Sequence, residues 1–343
     1  MTKPAAGPSS NKKRVLYISH GTEDLYQMVR AAVPQGLELI TLKSNDEAER
    51  LEALSRADAV IVAGAKLTRE RIAAAKNLKF VHHQGVGYHD TVDCAALAER
   101  KVPLAITPGG TEQAVAEHTI LLMLATMKRL PYMDAEMRAG RFHNYSMRHN
   151  TYEIGGKTIG IVGLGRIGKG LARRLKPFGV RILYHDLLTF PPELERELEV
   201  TRVPFDKLIA DSDIVTIHVP RTPVTQGMFN AKVFERMKPT AFLINAARGG
   251  IVNEPDLVAA LKAGKIAGAG LDVFDVEPAP KNDPLYQFPN VVLTPHVAAG
   301  SRDAFTAKMR FVFKNLEAFF DGKPIEHGVD YVAEMRAAGL KIG

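Results

Sequence analysis

The sequence predicts an α/β protein of two domains, the larger of them built on a doubly wound parallel sheet. Three observations lead there. At 343 residues the chain is longer than one compact core usually organises and suits two. Short β-branched runs alternate with helical patterns in two successive stretches, as parallel strands joined by crossover helices require. One long helical pattern separates these stretches, begun near Thr111 and closed by Gly140.

The elements follow in order. Residues 1–11 are rich in Pro, Gly and Ser, and 1–13 are expected to form a disordered leader. Runs at 15–19, 37–42, 59–63, 79–82 and 104–107 read as strands, with helices such as 23–32 and 46–55 between them. A single helix is expected over 112–139, followed by a polar, irregular stretch over 141–158. Six further strands are expected at 158–162, 181–185, 214–219, 241–245, 269–273 and 291–294, the number of a doubly wound nucleotide-binding sheet. The last helix, 301–321, comes after all six and is expected to return to the first unit. The domains read in this way are 14–107 together with 297–343, and 108–296.

Composition narrows the partners. With 46% hydrophobic and 24% charged residues the chain has the make-up of an ordinary globular protein. Its surplus of 45 Lys and Arg over 38 Asp and Glu gives +7, which suits acidic small molecules. A nucleic-acid binder usually shows a clustered basic stripe, and the densest run here is only Lys12, Lys13 and Arg14. Cys94 is the single cysteine, so no internal disulfide forms and a reducing compartment is expected. No apolar core segment follows Met1, and the longest apolar stretch, 119–127, is far short of the roughly 30 Å of a bilayer interior. No membrane partner and a cytoplasmic location are the expectation.

The run from Thr158 to Val162 leads straight into Gly163-Leu-Gly165-Arg166-Ile167-Gly168, with a helix after it and Gly179 as its C-cap. Gly163 permits the tight turn, Gly165 lets backbone approach a pyrophosphate, and Gly168 lets helix and strand pack closely. Free amides at the helix N-terminus then face the phosphates. The next strand ends in Asp186, 186 − 163 = 23 residues past the first glycine, near the spacing of an acid that grips ribose hydroxyls. A carboxylate there repels the 2′-phosphate of NADP, so NAD is the expected cofactor.

Three polar residues sit at the carboxyl ends of late strands: Arg248, Glu277 and His296. Ligands of open parallel sheets bind outside those ends, so the three can converge. Reduction of a 2-oxo acid needs a cation to hold the carboxylate and polarise the carbonyl, which the planar fork of Arg248 suits. It also needs a proton donor, the role of His296, with Glu277 fixing the tautomer of the imidazole.

These motifs together make the sequence resemble the D-isomer-specific 2-hydroxyacid dehydrogenase family, which includes glyoxylate/hydroxypyruvate reductases and D-lactate and D-3-phosphoglycerate dehydrogenases. The resemblance spans roughly 15–321. Its carriers are the Gly163–Gly168 loop, Asn245-Ala-Ala-Arg-Gly249, Gly270-Leu-Asp-Val-Phe274 with Glu277-Pro278, and Pro295-His-Val-Ala-Ala299. It implies a Rossmann domain and a smaller flavodoxin-like substrate (lid) domain, with a cleft closing about hinges near 107–110 and 295–299. It gives the catalytic roles to Arg248, Glu277 and His296, and the nicotinamide-amide acceptor to Asp272. The cofactor contacts it implies are Gly163, Gly165, Arg166, Ile167, Gly168, Asp186, Val219, Pro220, Thr225 and Ala246. The turn Gly85-Val-Gly-Tyr-His-Asp90 resembles the family's substrate loop, so the amides of Val86 and Gly87 would hold the acid beside Arg248 and His296. A homodimer through the nucleotide domain is implied as well. The departures are Asn253 in place of an acid, Phe142 in the dimer arm, and His89 within the substrate turn, where a bias on substrate choice and a solvated loop histidine both stand open.

Other readings compete. His82, His83, His89, His118, His143 and His149 show no metal-ligand spacing, and acid–base hydride chemistry needs no metal. One of His82 and His83 is expected to line the cleft. Formate dehydrogenases share the fold, but the carboxylate of Glu277 counts against that activity. An NAD-sensing corepressor is the reading of a different class, and 3-phosphoglycerate the alternative substrate. Asp186→Ala is expected to relax the preference for NADH, measured as the ratio of kcat/KM for the two cofactors; a native preference for NADPH would overturn the NAD reading.

Overall fold

The computed structural model describes residues 12–89 and 91–337. Residues 1–11 of the expected leader and Asp90 of the substrate turn lie outside the described residues. The chain divides into two compact units, one of residues up to Gly110 with those from Arg302 onward, the other Thr111–Ser301.

In the first unit five parallel strands, β1 (Lys13–Tyr17), β2 (Leu37–Ile40), β3 (Ala59–Val62), β4 (Phe80–His83) and β5 (Leu104–Ile106), are ordered 2-1-3-4-5. That is the flavodoxin-like order. The pairing starts earlier than the apolar pattern, because Lys13 is already in register with Leu37. A two-residue strand, Gly328–Val329, adds antiparallel to β5, an element too short to announce itself in sequence. Residues of β3 and β4 are buried throughout, as a sheet covered on both faces demands. Thr22, Asp46, Thr68 and Asp93 start the intervening helices by accepting an orphan amide hydrogen bond each.

The helix Arg302–Phe320 packs on β4 within this unit. The Phe80 and Phe319 rings stack 4.5 Å apart. Beside them His82 is fully buried, its Nδ1 3.2 Å from the His83 carbonyl and its Nε2 3.0 Å from Nδ2 of Asn315. Nδ1–H donates to the carbonyl and Nε2 accepts from the amide, which fixes a neutral tautomer. Asn315 has no freedom to flip, because its oxygen accepts from the Glu326 amide and its nitrogen also donates to the Glu326 carbonyl. His82, one of the two histidines from which a cleft residue was expected, is therefore a core residue that binds strand to helix.

The second unit is a seven-stranded parallel sheet, one strand more than expected. Its strands are β6 (Thr158–Val162), β7 (Arg181–His185), β8 (Val200–Arg202), β9 (Ile214–Ile217), β10 (Phe242–Asn245), β11 (Gly268–Leu271) and β12 (Val291–Leu293). They lie in the order 12-11-10-9-6-7-8, so the chain winds outward in both directions from β6 and β9. The strand that sequence reasoning passed over is β8: it has three residues, of which only Val200 is buried. The expected single helix over 112–139 is also corrected. It breaks into Glu112–Met127 and Leu130–Arg138, with Arg129 left-handed at φ 51° between them. Pro131 is the reason. Inside a continuous helix it would remove an amide donor and clash with the preceding turn, whereas in the first turn of a new helix neither cost arises. No helix among the described residues is long and apolar enough to cross a membrane.

Burial pushes the His82 imidazole down to about 3 from its ordinary value of 6.5. Below about pH 6.5 the unfolded chain takes up this proton and the folded chain does not, so stability falls as pH drops through that window, by at most about 1.4 kcal/mol per pH unit for this residue. Denaturant unfolding of His82→Gln between pH 6.5 and 4 is expected to show a shallower pH slope than the native protein. Equal slopes would contradict the assignment.

Candidate active site

Strand β6 hands the chain to the glycine loop, where each glycine answers a measurable constraint. Gly163 has φ +97°, and a Cβ on it would lie 2.7 Å from the His218 carbonyl oxygen. A Cβ on Gly168 would lie 2.3 Å from the carbonyl oxygen of Gly163, so helix Arg166–Leu175 packs this closely only with glycine. At Gly165 a Cβ would meet nothing within 4 Å. Open space thus fronts the helix N-terminus, where the amides of Arg166 and Ile167 have no partner among the described residues. Room and donors for a pyrophosphate are present together.

Asp186, just past β7, accepts the Leu164 amide at 2.7 Å on one carboxylate oxygen and the Leu188 amide at 2.8 Å on the other. The acid is therefore tied to the glycine loop itself. Leu187 and Leu188, exposed apolar residues after it, were not singled out from sequence, although two leucines at a strand end are their own signal. Past β9, the loop with Val219 and Pro220 is closed by Thr225, whose hydroxyl donates to the Pro220 carbonyl at 2.6 Å. Ala246 is buried at the end of β10.

Strands β10, β11 and β12 are neighbours and parallel, so their carboxyl ends share one edge. Asn245 shapes the first of these ends. Its amide nitrogen donates to the Arg248 carbonyl at 3.1 Å, and its Oδ1 accepts from the Ala247 amide at 3.1 Å. Next, Gly249 lies so close to the neighbouring loop that a Cβ would stand 1.8 Å from the Phe274 carbonyl oxygen. Gly250 then donates its amide to Asp275 at 2.7 Å. The loop of Arg248 is thereby pressed onto the loop that leads to Glu277.

Glu277 uses its two oxygens differently. One accepts from the Phe274 amide at 3.0 Å, and the other lies 2.7 Å from Nδ1 of His296. A carboxylate only accepts, so Nδ1 holds the proton in that bond and Nε2 is left for exchange. The structure joins Glu277 and His296 directly. The exposed guanidinium of Arg248 donates to the Ala247 carbonyl at 2.7 Å and shares their sheet edge, but no hydrogen bond or ion pair among the described residues connects it to them.

Asp272 is fully buried. Oδ1 accepts from the Thr294 hydroxyl at 2.5 Å and the Val297 amide at 2.9 Å, while Oδ2 accepts from the Ala298 amide at 2.8 Å. Nε2 of His118 stands 3.5 Å from Oδ1. Oδ1 thus carries two of these bonds and Oδ2 one. Burial pushes the Asp272 carboxyl up, yet hydrogen bonds from His118, Thr294, Val297 and Ala298 outweigh it and hold the group below its ordinary value. Neither His118 nor Thr294 was given a catalytic-side role from sequence.

In the first unit, the turn after β4 leaves the amides of Val86 and Gly87 without partners among the described residues. Behind them Tyr88 is buried and donates its hydroxyl to Glu334, while His89 stacks on Tyr88 at 4.0 Å with its Nε2 3.3 Å from Glu334. Asn253 serves as the N-cap of helix Glu254–Lys262, accepting the Asp256 amide at 3.0 Å. No group of three His, Cys, Asp or Glu residues suited to a metal occurs among the described residues.

A family model described as D-isomer specific 2-hydroxyacid dehydrogenase, NAD binding domain, matches residues 120–298. The chain is 41% identical over 256 residues to a glyoxylate reductase of Korarchaeum cryptofilum, covering 74% of this chain and 76% of that protein. It is 37% identical over 296 residues to a D-3-phosphoglycerate dehydrogenase of Archaeoglobus fulgidus, covering 86% of this chain but only 55% of that longer relative. Among solved structures, D-lactate dehydrogenase with NAD+ from Lactobacillus jensenii superposes with a TM-score of 0.77 at 26% identity, over 93% of this chain and 99% of that one.

The glycine geometry separates two variants. Gly165→Ala is expected to keep its unfolding free energy within about 0.5 kcal/mol while weakening dinucleotide binding roughly tenfold, read by fluorescence titration. Gly168→Ala, forced against backbone, is expected to lose about 1–3 kcal/mol of stability in denaturant unfolding.

Proposed function

Because the chain belongs to the D-isomer-specific 2-hydroxyacid dehydrogenase family and is an NAD-dependent oxidoreductase, we propose that it reduces a small 2-oxo acid, glyoxylate or hydroxypyruvate, to the D-2-hydroxy acid, with Arg248, Glu277 and His296 as its catalytic residues. The observation that supports this most is the 2.7 Å pair of Glu277 and His296 beyond the carboxyl ends of a parallel sheet whose first strand, β6, leads into the glycine loop.

The residues divide the work by chemistry. The Gly163–Gly168 loop, the amides of Arg166 and Ile167, and the Asp186 carboxylate would hold the cofactor's pyrophosphate and ribose, with Val219, Pro220, Thr225 and Ala246 along it. When bound, NADH supplies the hydride. Arg248 would pair with the substrate carboxylate and draw electron density from the 2-oxo group. Nε2 of His296 would give its proton to the nascent alkoxide and take it back in oxidation, while Glu277 keeps Nδ1 protonated and the ring oriented. The free amides of Val86 and Gly87 would serve as carboxylate donors. Asp272 would serve as the acceptor of the nicotinamide amide.

We further propose a homodimer formed through the nucleotide unit. Leu121, Leu130, Met137, Phe142 and Tyr145, all within one stretch of 25 residues (121–145), expose large apolar side chains that a monomer gains nothing by showing to water. A cytoplasmic location suits the lone Cys94, whose thiol is pushed up to about 11 mainly by burial and is thus inert as a nucleophile.

His296→Asn is expected to lower kcat for glyoxylate reduction about 10²–10⁴-fold while leaving NADH affinity nearly unchanged. Glu277→Gln should lose less. NADH oxidation is to be followed with glyoxylate, hydroxypyruvate, pyruvate and phenylpyruvate, and NAD reduction with 3-phosphoglycerate. Preference for the last would move the substrate, and no turnover with any of them would favour a corepressor-like role.

A further inference from the structure

We infer that His118 is a positioning residue for the proton donor, acting on His296 through Thr294 and Asp272. The inference rests on the reading of His296 as the acid–base group.

The chain of bonds is continuous. Thr294 Oγ1 lies 2.5 Å from Asp272 Oδ1 and 3.0 Å from His118 Nε2. A hydroxyl has one proton, and a carboxylate can only accept, so that proton goes to Asp272. The Thr294 oxygen is then an acceptor, and His118 Nε2 must donate to it. This fixes the imidazole in one tautomeric arrangement without reference to acidity. The same Nε2 is 3.5 Å from Asp272 Oδ1, so the imidazole faces both members of the chain.

What Asp272 does with its remaining capacity gives this chain its importance. Its carboxylate accepts the amides of Val297 and Ala298, and its backbone carbonyl accepts the His296 amide at 2.7 Å. Three consecutive amides are thereby wrapped round one residue. At the start of the wrapped turn His296 adopts φ +53°, a left-handed conformation that a histidine holds only when its surroundings impose it. Rotating Asp272 by one hydrogen bond would release the turn and with it the aim of the imidazole at a substrate.

His118 comes from another element. It belongs to the helix Glu112–Met127, which packs against β10, β11 and β12 and is separated from Thr294 by 176 residues of chain. Its side chain is mostly buried, at 14% exposure, so the bond is shielded from competing water. The helix thus sets where Thr294 and Asp272 stand, and through them where His296 points.

The test uses the full chain. His118→Leu is expected to lower kcat for the 2-oxo acid about 10–100-fold, as small displacements of a reacting group do, while the NADH dissociation constant stays within about twofold. The solvent deuterium isotope effect on kcat should rise, because proton transfer becomes slower; a mere loss of folded enzyme would leave it unchanged. His118→Gln, whose amide can donate to Thr294, should recover most of the loss. Thr294→Val, which keeps the shape and removes the hydroxyl, should behave as His118→Leu does, and the double variant should be little worse than either. Unchanged kcat in His118→Leu, or losses that multiply in the double variant, would overturn the inference alone. A His296→Asn enzyme that keeps full turnover would overturn the reading beneath it as well.

Discussion

A carboxylate with no access to water is costly, and the second unit is organised round one. Removed from solvent, Asp272 must find its hydrogen bonds within the chain. It finds them in three directions: the helix Glu112–Met127 through His118, the end of β12 through Thr294, and the turn beyond it through successive amides. Each partner satisfies the anion, and in return each is held in place by it. The left-handed histidine is the visible result. An apolar residue at this position could bury as much surface but could not gather three elements at one point.

Close backbone approach complements that polar centre. Gly249 against Phe274 and Gly168 against Gly163 are contacts that any side chain would forbid. The first presses the loop of the guanidinium onto the loop of the carboxylate, and the second seats a helix N-terminus beside the first strand. Asp186, by accepting the Leu164 amide, ties the end of β7 to the same glycine turn. The unit therefore combines two means of holding its loops, missing side chains at Gly168 and Gly249 and a buried, hydrogen-bonded carboxylate at Asp272.

How much of this was legible in sequence depends on the range of the signal. The glycine loop, Asp186 and the strand-end positions of Arg248, Glu277 and His296 are local patterns, spaced by the strand–turn–helix repeat, and the fold class follows from the same repeat. The helix break was written in sequence too, since Pro131 stands in the middle of the expected helix and argues for a boundary just before it. By contrast, β8 pairs through its backbone at a sheet edge and needs no apolar run. The contact between His118 and Thr294, and that between Tyr88 and Glu334, join residues so far apart that neither neighbourhood hints at the other. His118 in particular looks like one polar residue on a mostly apolar helix, and only packing tells what it faces.

The union of β4 with the helix Arg302–Phe320 has a bearing on synthesis at the ribosome. His82 and Phe80 are made early, and their partners Asn315 and Phe319 emerge more than two hundred residues later. Until then the face that Glu23–Arg30 shares with this helix is only partly covered, while Thr111–Ser301 is an unbroken stretch of chain. The N-terminal strands therefore complete their sheet only with residues that are synthesised after the whole of Thr111–Ser301.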